Sequence, residues 1–238
     1  LRGLVGSEMC IRDRLLAGGS SDRFTDEENK VYFPVGRKPA LCWPLETLEK
    51  SEYVDSILLV VREEDWEKTN TVIELVETNK LIGITAGGKT RHESEYEGLM
   101  YLKNSGNVSE NDLILIHDGA RPLLPMYLLD ELIEVAKRNG ASAPGFNSKN
   151  LSVKSTSDKK YSLDETIVEI QTPQVFPADE LWKSYELAKI DDWQAVDTTE
   201  CVSKYVGREA VIVPGDPKNM KVTFIEDIFE LEKIITSD

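Results

Sequence analysis

LLAGGSSDRFTDEENK, residues 15–30, decides how the chain is to be read. A short apolar run stops at Ala17, the glycines Gly18 and Gly19 and two serines follow, and Arg23 and Lys30 flank an acidic loop. Apolar strand, glycine turn and fixed cations together suit a nucleotide's phosphates. Glycine lets backbone N–H groups approach an anion without a Cβ in the way, and the cations neutralise it. Glycine followed by serine also marks ordinary turns, so the stretch is weighed with what surrounds it.

Downstream, apolar runs alternate with helical spacing. Ser56–Val61 (SILLVV) reads as a buried strand, and residues 63–78 as a helix with Trp66, Val72, Ile73 and Val76 inward. Residues 81–86 are extended and end at Gly87-Gly88, residues 90–104 are helical, and Asp112–His117 (DLILIH) is the strongest strand, running into Asp118 and Arg121. A helix over 123–139 ends at Gly140. Such alternation predicts an α/β fold with a Rossmann-like, mostly parallel sheet and helices on both faces. Sheets of this kind bind ligands beyond the carboxyl ends of their strands, where the glycine loop, Gly87-Gly88 and Asp118 all fall. Residues 141–176 break the pattern with short extended pieces joined by polar turns, which predicts a projecting antiparallel β-arm whose simplest use is pairing with a second copy; a long surface hairpin in a monomer is the other reading. Helices near 178–189 and after Asp197, a strand at 210–213 and a last helix from Ile225 complete the chain.

The 238 residues hold 40% hydrophobic and 30% charged residues, as a soluble globular protein does. No apolar run nears the ~20 residues that span a bilayer. A net charge of -15 argues against nucleic acid as a partner, and makes cations near glycine loops the informative minority. Three cysteines, Cys10, Cys42 and Cys201, without zinc-ligand spacing predict reduced thiols in a cytoplasm, with Cys42 and Cys201 buried and inert. Two histidines, His92 and His117, are too few for a histidine-rich metal site.

Residues 1–14 (LRGLVGSEMCIRDR) stand apart. Arg12, Asp13 and Arg14 occupy positions where a strand buried on both faces should be Val/Ile/Leu-rich. SEMCIRDR also resembles translated sequencing-adapter sequence. We therefore read 1–14 as a non-native segment and place a single domain over 15–238, its arm at about 141–176.

Gly83–Thr90 (GITAGGKT) fits the P-loop pattern literally. A P-loop needs a buried strand just before its first glycine. Here residues 77–82 (ETNKLI) are too polar, and Ile82 and Ile84 straddle Gly83, so the strand is expected to run through the glycine.

AGGSSDRF, NKVYFPVG, GGKTRHES, LILIHDGARP, QTPQVF and KNMKVT occur in an order that resembles the cytidylyltransferases of sugar-alcohol phosphates, from Leu15 to the C-terminus. The resemblance implies transfer of CMP from CTP to a polyol phosphate with release of pyrophosphate, a need for Mg²⁺ bound mainly through the CTP phosphates, and a homodimer made through the arm. It assigns the triphosphate cradle to Ala17, Gly18 and Gly19, and the phosphate-gripping catalytic cations to Arg23, Lys30 and Lys221. Cytosine selection falls to Gly87, Gly88 and Ser94, with Arg91 nearby, and the polyol phosphate to Asp118 and Arg121. Asp118 is also compatible with capping a following helix. Fixed cations suit an in-line displacement, which builds charge on the non-bridging oxygens and on the pyrophosphate.

Two departures bear on the acceptor. Leu151 stands where the family's arm has a threonine, and Asp164 and Glu165 where it has an arginine, and acidic groups repel a phosphate. Lys154, Lys159 or Lys160 is then the substitute, or the acceptor differs. TTEC at 198–201 and TRH at 90–92 resemble relatives that make CDP-ribitol. Methylerythritol 4-phosphate is the expected acceptor and ribitol 5-phosphate the alternative. A non-catalytic CTP-binding relative and, more remotely, an NAD-linked oxidoreductase are the readings from other classes.

Overall fold

The computed structural model describes residues 11–16, 29–147 and 168–237. Its strands are β1 (Ile11–Leu16), β2 (Pro34–Val35), β3 (Lys38–Pro39), β4 (Ser56–Val61), β5 (Leu81–Ala86), β6 (Leu113–Asp118), β7 (Ser142–Asn147), β8 (Val168–Ile170), β9 (Gln174–Pro177) and β10 (Val211–Pro214). The helices are α1 (Cys42–Lys50), α2 (Trp66–Val76), α3 (Arg91–Ser105), α4 (Met126–Asn139), α5 (Ala178–Ile190), α6 (Thr198–Val206) and α7 (Glu226–Ser237). The main sheet runs β10-β7-β9-β6-β1-β4-β5, with β8 paired to β7. β5, β4, β1 and β6 are mutually parallel, as are β7 and β10, while β9 is antiparallel to both its neighbours.

The period-2 logic of a strand is visible in β4 and β6, every residue of which is buried. Ile57, Leu59, Val61, Leu113 and Leu115 pack with α1, α2 and α4 on one face, where Leu45, Val72 and Leu129 meet them. Leu58, Val60, Ile114 and Ile116 pack with α3, α5 and α6 on the other, against Leu99, Leu181 and Val202. Burial on both faces is why these strands read as unbroken apolar runs. A third cluster joins the β2–β3 ribbon to α7 through Val35, Ala40, Ile228 and Leu231.

β5 runs through Gly83 as expected, so the first glycine of GITAGGKT lies inside a strand rather than after one. A Cβ at Gly83 would stand 2.4 Å from the Tyr101 hydroxyl, which accounts for the glycine by packing. The 3.6-residue spacing located the helices but not all their ends. α4 starts at Met126 rather than Leu123, because Pro125 caps it with extended backbone. Gly140 ends it at φ 93°, its N–H donating to Ala136 O at 2.7 Å. Trp66, expected inward, is 45% exposed. It opens α2 after a short turn at Glu63–Asp65, and the buried residue there is Asp65, whose Oδ2 accepts from Asn29 Nδ2 at 2.8 Å.

Both ends of the segment expected to form an arm are laid into the sheet, as β7 and β9, and β8 adds an antiparallel partner to the far end of β7. Residues 148–167, with Leu151, Lys154, Lys159, Lys160, Asp164 and Glu165, lie outside the described residues. Four residues of the segment set aside at the N-terminus, 11–14, supply most of β1. That strand is central, with Arg12 opposite Ser56 and Ile114, and Arg14 opposite Leu58 and Ile116. Charged residues on a strand between two fully buried neighbours are costly. Replacing Arg12, Asp13 and Arg14 together by Val, Val and Ile is expected to raise the melting temperature by roughly 5–10 °C, from a few kcal/mol at about 2–4 °C each. An unchanged temperature in a calorimetric scan would refute this.

Candidate active site

Four sequence motifs meet at the carboxyl ends of the central strands. α3 follows β5 after the loop 87–90, and Thr90 caps it by accepting from Glu93 N–H at 3.1 Å. Ser94 is buried, and its hydroxyl is spent on the loop: Oγ accepts from Gly88 N–H at 3.2 Å and donates to Thr90 O at 2.9 Å. A Cβ at Gly87 would meet Ser94 Oγ at 2.7 Å, and one at Gly88 would meet Glu93 Cβ at 2.2 Å. Both glycines are therefore required by close approach, and Ser94 shapes the loop that carries them.

Asp118 ends β6. It is not a helix cap, since α4 begins eight residues later. Its Oδ2 accepts from Lys221 Nζ at 2.7 Å and its Oδ1 from Arg91 Nε at 3.2 Å. Burial alone would raise the carboxyl's pKa, but Arg91, Lys221 and Arg121 outweigh it and hold Asp118 well below the ordinary carboxylate range. The acid is thus a fixed anion that orients two cations.

The motifs QTPQ and KNMK build the wall beneath it. Asn219 Nδ2 donates to Thr172 O at 2.8 Å and to Gln171 Oε1 at 3.3 Å, while Gln171 Nε2 donates back to Asn219 O at 3.1 Å. Arg121 Nη1 donates to the same Asn219 carbonyl at 2.8 Å, and its Nε is buried without a hydrogen-bond partner among the described residues. Thr172 Oγ1 accepts from Asp118 N–H at 3.0 Å and stands 3.1 Å from His117 Nδ1. His117 Nε2 reaches Arg121 O at 3.2 Å. A carbonyl can only accept, so Nε2 carries a proton; burial keeps the imidazole neutral, and Thr172 then donates to Nδ1.

Burial pushes His117 down to about 4. A depressed histidine takes up its proton in the unfolded chain first, so its stabilisation is complete above the ordinary value of 6.5 and is lost as pH falls toward 4. Between pH 7 and pH 4.5 the unfolding free energy is expected to fall by up to ~3 kcal/mol through this residue, at 1.36 kcal/mol per unit. Urea denaturation across that range tests it, and a flat profile would refute it. Asp118 adds its own loss only below the ordinary carboxylate value of 3.8.

Of the residues expected in the site, Gly87, Gly88 and Ser94 form one group and Asp118, Arg121 and Lys221 a second. Arg91 links them. Lys30 is largely buried in the short helical turn Lys30–Tyr32, whose carbonyl accepts from Phe33 N–H at 3.2 Å. Ala17, Gly18, Gly19 and Arg23 lie outside the described residues. The expectation for Cys42 and Cys201 holds: both are buried free thiols, raised chiefly by desolvation to about 11 and about 12. Sequence reading undervalued Arg91, His117, Thr172 and Asn219. All four carried a signal, their place inside quoted motifs.

Among the described residues no three His, Cys, Asp or Glu side chains converge on a metal position. Asp118, the carboxylate at the strand end, has its two oxygens on Lys221 and Arg91, so Mg²⁺ would be carried mainly by substrate phosphates and water, which commonly make up most of its shell.

An aspartate pinned between cations beside a glycine loop, at the strand ends of a doubly wound sheet, is architecture that suits nucleotide chemistry, and comparison with known proteins gives the class as nucleotidyltransferase. The chain belongs to the 2-C-methyl-D-erythritol 4-phosphate cytidylyltransferase family, whose profile matches residues 14–237. A relative of that name from Clostridium botulinum is 31% identical over 227 residues, covering 93% of this chain and 97% of its own. One from Geobacillus kaustophilus is 29% identical, covering 94% and 96%. The crystal structure of 4-diphosphocytidyl-2C-methyl-D-erythritol synthase from Anaerococcus prevotii superposes with a TM-score of 0.78 at 26% identity, over 96% of each chain.

Proposed function

We propose that the protein transfers CMP from CTP to 2-C-methyl-D-erythritol 4-phosphate and releases pyrophosphate. The observation that carries the reading is Asp118, bonded to Lys221 and Arg91 at the strand end in a chain of this family. A phosphate oxygen of the acceptor attacks the α-phosphorus of CTP, the bond to the β-phosphate bridging oxygen breaks, and pyrophosphate leaves in line. Lys221, held by Asp118, stabilises charge at the reacting phosphorus, and Lys30 and Arg23 grip the triphosphate. Backbone groups of Gly87 and Gly88 read the cytosine edge, with Ser94 fixing their loop. Arg121, whose Nε has no hydrogen-bond partner among the described residues, would hold the acceptor phosphate. The CTP phosphates would hold Mg²⁺, which would supply neutralisation of triphosphate charge. We read the protein as a cytoplasmic homodimer formed through the 141–176 segment. Among the described residues no helix is long and apolar enough to cross a membrane.

The test is pyrophosphate release from CTP and Mg²⁺ with methylerythritol 4-phosphate and, in parallel, ribitol 5-phosphate. Release with the first alone is expected. Release with ribitol 5-phosphate alone would move the acceptor, in keeping with Leu151, Asp164 and Glu165. Binding of CTP without release from either would overturn the enzymatic reading.

A further inference from the structure

We propose that Glu95 is a positioning residue of this reaction, setting Asp118 through Arg91. The inference rests on the reading of Asp118 as part of the reacting centre.

Arg91 and Glu95 lie one turn apart on α3 and so share a face. Glu95 is completely buried. Thr198, the first residue of α6, donates its hydroxyl to Oε1 at 3.0 Å, and the Tyr185 hydroxyl of α5 donates to Oε2. Tyr185 is itself held by its ring, stacked on His92 with centroids 4.7 Å apart and planes 15° apart. Three helices thus fix one carboxylate, and its third neighbour is the Arg91 guanidinium, with Nη1 2.7 Å from Oε1 in a charge contact rather than a directed hydrogen bond. The Nε of the same guanidinium bonds Asp118 Oδ1.

Two physical arguments give this arrangement a purpose. Glu95 is buried beside Tyr185 and Cys201 of the apolar cluster, where buried ion pairs are commonly no better than apolar side chains of similar size. Stability alone gives no reason for a carboxylate there. Arg91, in turn, is the first residue of α3, where the helix dipole disfavours a cation. Glu95 offsets that repulsion and leaves Nε aimed at Asp118, so both oxygens of the aspartate are occupied and Lys221 is held in one place.

Glu95→Gln keeps the volume and removes the charge. It is expected to lower kcat about tenfold while KM for CTP stays within about threefold. Arg91→Met should lower kcat similarly, and adding Glu95→Gln to it should cost less than about a further twofold, because both changes break the same link. Should Glu95→Gln fail to fold, Tyr185→Phe and Thr198→Val each remove one hydroxyl from the carboxylate, and each is expected to lower kcat about threefold with the same loss of effect in the Arg91→Met background. Wild-type kcat in all the folded variants, or losses that multiply with Arg91→Met, would overturn the proposal. A crystal structure of a folded variant separates it from the reaction itself. Arg91 Nε is expected to leave Asp118 Oδ1; unchanged geometry refutes the positioning role whether or not the wild type turns over, whereas a wild type inactive with both acceptors refutes the reaction.

Discussion

Asp118→Asn is expected to lower kcat for pyrophosphate release by about 100-fold or more, since displacement of a reacting group by ~1 Å can cost that much. The amide keeps the shape of the side chain but not its charge. Lys221 and Arg91, which bond one carboxylate oxygen each, then lose the anion that sets them. Removing one partner of a buried ion pair costs ~3–5 kcal/mol. The lower end applies because the Lys221 side chain is 36% exposed and keeps water. A melting temperature lower by roughly 5–10 °C should therefore accompany the kinetic loss in a folded protein. Wild-type kcat in the folded variant would remove Asp118 from the reacting centre.

Lys221→Ala is expected to lower kcat by about 100- to 1,000-fold, the range for loss of one charge-stabilising group at a reacting oxygen. Its effect on folding should be smaller than that of Asp118→Asn, because the lysine is the more exposed partner and the aspartate retains Arg91 and the Thr172 hydroxyl on its own N–H. Lys30→Ala is expected to give a loss of the same order, through the triphosphate rather than the α-phosphorus. Steady-state kinetics over a range of CTP concentrations separates the two: Lys221 acts on kcat, whereas Lys30 acts on kcat and on KM for CTP together. Near-normal turnover in either variant would take that lysine out of the mechanism.

The glycine loop after β5, the aspartate after β6 and the helices between them were legible because apolar strand runs and glycine caps are local signals. Gly140 was readable as a cap from its place after a periodic helix, and its φ of 93° shows the backbone state that favours glycine there. Asp118 was readable as a strand end. Its two cation partners were not, since Arg91 and Lys221 stand 27 and 103 residues away in the chain. Trp66 was misread because helical spacing indicates which residues share a face and not which face a neighbour covers. How the ends of the segment 141–176 join the sheet was not legible: short extended pieces with polar turns look alike whether they project or pair, and hydrogen bonding to β6 and β10 makes β9 and β7 part of the sheet.

By itself the sequence determined the class of fold, the order of the phosphate and base motifs, and the family, because each rests on short patterns whose meaning survives without knowing what packs beside them. Tertiary structure alone decided the electrostatics of the site. Asp118 is an anion between two cations, His117 is a neutral hydrogen-bonded wall residue, and Glu95 is a buried charge on Arg91, since each state depends on burial and on partners drawn from distant segments. Charge in a protein interior is set by the nearest few ångströms, and those are filled by the fold rather than by neighbours in the chain.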